Sequence, residues 1–197
     1  MKRPLAAALV LLMAGAAFLG RGIWIFAKAQ VAQVLLARAW EETRGGGGRG
    51  VKPWPWADTW PVARLAVPRL GVEEIVLAGG SGQSLAFGPG HLSRSAAPGS
   101  AGNVALGGHR DTHFRFLRDL RPGDEILLET PDRAVRRYRV TETAVVDFRD
   151  RRPLASSVEP TLTLITCYPF DAVVPGGPLR YVVRANARLE SRQRAAA

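Results

Sequence analysis

Residues Thr161–Ala187 read TLTLITCYPFDAVVPGGPLRYVVRANA and decide the fold. The first run alternates: Thr161, Thr163, Ile165 and Cys167 share one face, and Leu162, Leu164 and Thr166 point to the other. It reads as a strand that ends at Cys167. Tyr168 to Leu179 is a loop of 12 residues shaped by Pro169, Pro175, Gly176, Gly177 and Pro178, and a second strand opens at Arg180. A strand–loop–strand hairpin returns Arg180 to the end of the sheet where Cys167 sits. A thiol becomes a good nucleophile as thiolate, and a neighbouring cation favours that form. An arginine cannot act as a base, but it can hold a developing oxyanion. The plainer alternatives are a small buried hydrophobe at Cys167 and a solvated strand face at Arg180.

Upstream, short strands alternate with Gly/Pro turns. Val62–Val67, Glu74–Leu77, Asn103–His109, Asp124–Glu129 and Val135–Val146 all have strand character. In the last, Tyr138, Val140, Ala144 and Val146 are expected on one face, with Arg137, Arg139, Thr141 and Thr143 on the other. Ser81–Gly102 is loop-rich and includes Gly88-Pro89-Gly90-His91. His113–Leu120 has a short helical look, ended by Arg121-Pro122-Gly123. Many short strands, frequent turns and brief helices indicate a mainly β fold, a small closed or nearly closed β-barrel, with no internal repeat.

The chain has 197 residues, enough for one ordinary domain with appendages. Residues 1–27 read as a membrane segment. Lys2 and Arg3 precede an uncharged run from Pro4 to Gly20, and apolar residues resume after Arg21. About 20 apolar residues span a bilayer, so Arg21 is placed at the interface. A cleaved signal peptide is the rival reading, since Ala14-Gly15-Ala16 suits a cleavage site. Residues 28–59 form a helical stalk and a linker rich in Gly, Trp and Pro. The stalk continues the anchor helix or lies on the membrane surface, with Trp24, Ala27, Val31, Val34, Leu35 and Trp40 available to one side. The catalytic barrel is assigned to 60–188, and 189–197 reads as a disordered tail.

The formal net charge is +10, from 27 Lys and Arg against 17 Asp and Glu. The arginines are scattered, and the body lies outside the cytoplasm, so nucleic acid is not the expected partner. One cysteine outside the cytosol cannot form an internal disulfide, which favours a reactive thiol or an intermolecular bridge.

Of three histidines, His109 ends a strand in NVALGGHRDTH, where Gly107 and Gly108 let backbone or substrate approach. A histidine there can exchange a proton with the thiol or protonate a leaving amine. Cys167, His109 and Arg180 suffice for acyl transfer through a thioester, and Asp111 could orient a histidine. One Cys and three His lack the paired spacings of metal sites, so no metal ligand is assigned.

TLITC followed by a loop and RYVVRA, with GHRDT upstream, resembles the sortase family of cysteine transpeptidases. GPGHL at 88–92, PGSAGNVALGGHRDTHFRFLRDLRPGDEI at 98–126 and the N-terminal anchor extend the resemblance over roughly 60–187. The TCYPF version, with the short basic anchored chain, looks like the Gram-negative (proteobacterial) members, near class D. The resemblance implies an eight-stranded closed barrel. It implies Cys167 as nucleophile, His109 as general acid/base and Arg180 as oxyanion and substrate partner. Thr166 matches a position that helps hold substrate, and His91 and Tyr168 join it as substrate-binding candidates. Ser95-Ala96-Ala97-Pro98 departs from the family's Thr-Ala-Leu-Pro flavour. The implied substrate is a secreted protein with a C-terminal Leu-Pro-x-Thr-Gly-like (LPxTG-like) signal, cut between Thr and Gly and passed to an amine acceptor. No cofactor is implied. The expected location is the inner (cytoplasmic) membrane, single-pass, with the barrel facing the periplasm or exterior. The alternative of a different class is an inert exported barrel that binds peptide or cell wall.

Overall fold

The computed structural model describes residues 2–46, 50–174 and 176–187. The expected disordered tail at 189–197 and the centre of the glycine linker lie outside them. Eight strands close into a mixed barrel: β1 (Pro61–Val67), β2 (Val72–Ala78), β3 (Gly90–His91), β4 (Asn103–Gly107), β5 (Glu125–Glu129), β6 (Val135–Asp147), β7 (Thr161–Tyr168) and β8 (Leu179–Ala187). Around the barrel the order is β1-β2-β3-β4-β7-β8-β6-β5. Two pairings are parallel, β2 with β3 and β4 with β7. Closure leaves no edge strand to pair with a neighbour.

Seven strands fall on the stretches with strand character in the sequence. The eighth, β3, is two residues long and sits in the Gly-Pro-Gly-His segment that reads as loop. Its glycine is required: a Cβ at Gly90 would collide with the carbonyl oxygen of Gly79. The core is built from Ala63, Leu65 and Val67 of β1, Val104 and Leu106 of β4, Ile126 and Leu128 of β5, and Leu162 and Leu164 of β7, with Phe114 and Leu117 closing in. The expected helix after His113 is a 3₁₀ turn over Arg115–Asp119.

In β6 the expected faces hold only as far as Val140. A bulge between Val140 and Glu142 shifts the pairing with β8. Val140 pairs with Ala185, which faces the core, but Glu142, Ala144 and Val146 pair with Arg184, Val182 and Arg180 on the outside. One extra residue reverses every side chain beyond it. Ala144 and Val146 thus join the face that carries Arg180.

One helix, α1 (Lys2–Arg44), runs unbroken for 43 residues, about 65 Å at the usual rise. It is long and apolar enough to cross a membrane. Its last third packs on the barrel, against β1 and β2. The buried positions are Ala32, Leu36, Ala39, Trp40 and Thr43, spaced along one helical face. The expected face shared only Trp40 with this set, and Trp24, Val31 and Val34 stand exposed. The expectation followed the largest apolar residues, whereas alanines at 32 and 39 let the helix come close. At its end the Arg44 Nε lies 3.3 Å from Glu129 Oε1, and Arg64 donates to Glu129 Oε2 at 2.9 and 2.7 Å. The tryptophans that follow have separate roles. Trp54 packs edge-on against Phe87 with ring centres 5.1 Å apart, Trp56 is exposed, and the carbonyl of Trp60 accepts from the amide of Ala78.

Candidate active site

Cys167 and Arg180 are partners on one rung of the antiparallel β7–β8 ladder. Directly opposed residues carry their side chains on the same face, with Cβ atoms about 4.5–5.5 Å apart. That face is the outside of the barrel, because Leu162 and Leu164, on the other phase of β7, are core residues. Cys167 is half-buried and is the only cysteine of the chain.

His109 reaches the same end from the other side of β7. β4 and β7 run parallel with Gly107 opposite Ile165. The amide of Gly108 then donates to Ile165 O at 3.2 Å, and Thr166 Oγ1 donates to Gly108 O at 2.7 Å. These bonds carry the register past the strand end, so His109 leaves β4 alongside Cys167. Gly108 is pressed against a core ring rather than left open for substrate: a Cβ there would lie 2.6 Å from Phe114. The His109 ring is exposed and makes no hydrogen bond among the described residues.

The guanidinium of Arg180 is held from the loop side. Its Nη1 donates to Gly177 O at 2.7 Å and to Leu179 O at 2.8 Å. Its Cζ lies 5.8 Å from the centre of the Phe148 ring, within cation–π range. Below this rung the outer face continues through Ile165, Val182 and Ala144, then Thr163, Arg184 and Glu142. A cleft of about 300 Å³ opens there, walled by Ala144, Val146 and Val182 with Asp150, Arg152 and Pro153 of the β6–β7 connection. Val146 is itself the β6 partner of Arg180, so the cleft begins at the reactive rung. That connection is pinned to the barrel by Asn103, whose Nδ2 donates to Pro153 O at 2.8 Å and Ala155 O at 3.1 Å.

The structure therefore brings Cys167, His109 and Arg180 together. It places the other three candidate residues elsewhere. Thr166 is buried, on the inward phase of β7, and touches the site only through Gly108. Tyr168 shares that inward phase and stacks on Tyr181, ring centres 6.2 Å apart, with Phe170 edge-on to both. His91 pairs with Leu106, which is level with Leu164 and three rungs below Cys167. Its Nε2 lies 2.9 Å from Ala96 O and 3.2 Å from Ser95 Oγ, and it lines a separate cleft of about 520 Å³ with Trp60, Pro98 and Thr130. The strand period explains Thr166 and Tyr168: neighbours of an outward residue face inward. His113 bonds Glu74 Oε2 through Nδ1 at 2.9 Å and serves to tie its turn to β2.

Arg110, Phe148 and Tyr181 surround the site without having been singled out in the sequence. Arg110 stands inside the GHRDT motif, yet nothing local shows that its side chain is buried. Among the described residues no three His, Cys, Asp or Glu side chains gather as a metal-binding group.

The chain has relatives among known proteins. Sortase D of Bacillus subtilis is 33% identical over 120 residues, 60% of this chain and 60% of that protein, so the match spans less than two thirds of its length. A Clostridium perfringens Sortase D5 transpeptidase superposes with a TM-score of 0.66 at 24% identity, covering 81% of this chain and 99% of that one. The catalytic domain of B. anthracis SrtD superposes with a TM-score of 0.56 at 32% identity, over 65% and 87% of the two chains. The family model of the sortase domain matches residues 65–188, which takes in every strand from Leu65 in β1 to the end of β8. With its barrel, its Cys–Arg rung and its histidine inside that match, the chain belongs to the sortase family of cysteine transpeptidases, with class D-like character.

Proposed function

We propose that this chain is a membrane-anchored sortase of the Gram-negative type that cleaves an LPxTG-like signal at the C-terminus of a secreted protein. The observation that carries the reading is the shared outward rung of Cys167 and Arg180 beside His109. The Cys167 thiolate attacks the threonine carbonyl carbon. A C–S bond forms, the negative charge moves to the carbonyl oxygen, and Arg180 stabilises it. His109 gives a proton to the glycine nitrogen as the Thr–Gly bond breaks, leaving a thioester on Cys167. An acceptor amine then attacks the thioester, its proton passes to His109, and the thiolate leaves as the new amide forms.

The cleft of Ala144, Val146 and Val182 suits the leucine and proline of the signal. Thr166 acts at one remove, fixing the carbonyl of Gly108 and through it the start of the His109 segment. Residues 1–27 hold the enzyme in the inner membrane as a single span, with Lys2 and Arg3 on the cytoplasmic side and the barrel in the periplasm. The barrel comprises residues 60–188. The docked end of α1 makes anchor and barrel one body, so no flexible stalk separates them.

The test uses the full chain in detergent with a Leu-Pro-x-Thr-Gly peptide. Intact-mass spectrometry should show Cys167 carrying the peptide up to threonine, and Cys167→Ala should show none. Undiminished cleavage by Cys167→Ala would sink the proposal. Slow iodoacetamide labelling of Cys167, with no acyl-enzyme formed by any such peptide, would instead indicate an inert binding barrel.

A further inference from the structure

The proposed reaction uses His109 and leaves its neighbour Arg110 without a task. Arg110 is 8% exposed. Its Nη2 donates to Ala172 O at 2.7 Å and to Val174 O at 3.2 Å, residues more than sixty positions away. Its Nη1 is buried and has no hydrogen-bond partner among the described residues. No carboxylate pairs with it among the described residues either. Burying a guanidinium against carbonyl dipoles alone is costly, so a surface-facing rotamer would be cheaper unless the contact is needed. Both carbonyls belong to the β7–β8 loop, which joins Cys167 to Arg180.

We propose that Arg110 is a positioning residue that sets the β7–β8 loop against the His109 segment. The loop is secured at three places. Its base is held by the Tyr168–Phe170–Tyr181 cluster, and its exit by the bond from Arg180 to Gly177. Arg110 secures the middle, one peptide bond from His109. With Ala172 and Val174 drawn in by their carbonyls, the side chains of Val173 and Val174 are turned out, 95% and 75% exposed. They form an apolar wall that an incoming peptide can meet. Histidine and loop thus share one support, and the spacing between them does not depend on the loop's own stiffness.

This inference rests on the proposed reaction for its kinetic arm only. Arg110→Gln and Arg110→Lys are compared with the unaltered full chain in detergent, by hydrogen–deuterium exchange and by peptide acylation. For Arg110→Gln, exchange of the amides in 170–177 should rise about tenfold or more while β7 and β8 keep their protection. The KM for the peptide should rise about tenfold with kcat changed far less, and iodoacetamide should label Cys167 at the unaltered rate. Arg110→Lys, which keeps the charge but loses the fork, should fall between. Unchanged loop exchange would overturn the proposal. So would a rise spread evenly over the barrel, which assigns Arg110 to general stability, or local loosening with KM unaffected. If Arg110→Gln does not fold, Arg110→Lys is read by the same exchange criteria. Should the unaltered chain form no acyl-enzyme, the reaction reading fails, and the exchange data still decide the clamp.

Discussion

The outer face of β7 carries two polar residues four positions apart in very different surroundings. Thr163 is sealed: its Oγ1 donates to Asn103 Oδ1 at 2.7 Å, and Asn103 spends its amide on the β6–β7 connection. Cys167 is half-buried, and no side-chain hydrogen bond holds it among the described residues. The histidines repeat the contrast. His91 and His113 have ring partners, Ala96 with Ser95 and Glu74 respectively, whereas His109 has none among the described residues. At Thr163, His91 and His113, which support the fold, the polar groups have hydrogen-bond partners. At His109, where proton transfer is proposed, the ring is left free for a partner that arrives with the substrate, while Arg180 is held in place from the loop side.

The contrast can be broken most forcefully at the histidines. His109→Ala should lower kcat/KM by about 10²- to 10⁴-fold, the range for loss of a general acid/base, with an unchanged melting temperature. His91→Ala should do the reverse, lowering the melting temperature by a few degrees and keeping most activity. Peptide-cleavage assays and calorimetry on the same samples check both; equal activity losses would erase the distinction. A smaller effect is expected at the threonines. Thr163→Val strands a buried acceptor on Asn103 and should cost about 1–3 kcal/mol of stability with activity kept. Thr166→Val should cost less stability and more turnover, because Gly108 leads directly into His109. Denaturant melts beside steady-state kinetics separate the two.

The mildest test lies at a satisfied pair away from the site. Arg69 donates twice to Asp124, at 2.6 Å each, and this holds the Asp124 carboxyl below the usual carboxylate range. A lowered folded pKa contributes stability that is complete above the unfolded value, about 3.9, and is lost as pH falls through the folded one. Asp124→Asn should therefore melt slightly lower than the unaltered chain at neutral pH. The gap should close as pH falls below about 4, and cleavage at neutral pH should be untouched. A gap that stays constant with pH would show that the pair carries no proton-linked stability.

Much of this was legible in the residues because a strand has period two. The alternation in TLTLITC put Cys167 on one phase, and the 12-residue loop implied that Arg180 would come back beside it. The same rule argues against direct contacts from Thr166 and Tyr168, the neighbours of an outward cysteine. The docking of α1 was hidden because small alanines at 32 and 39, interleaved with Leu36 and Trp40, make the contact while the bulky Val31 and Val34 stay exposed. The burial of Arg110 was hidden as well, since its partners are backbone carbonyls with no side-chain signature. So was the bulge in β6, where Val140-Thr141-Glu142 carries no glycine or proline to mark it.

That bulge has a consequence for how such an enzyme could change. Thr141 acts as a phase marker: it decides whether Ala144 and Val146 look into the core or across the cleft at Arg180. Adding or deleting a single codon there would exchange the whole β6 wall of the cleft while β7 and its cysteine stayed in place. On the proposed reading, the β6 part of the recognition surface and the β7 nucleophile lie on separate strands, and the first can be re-edited by one insertion without moving the second.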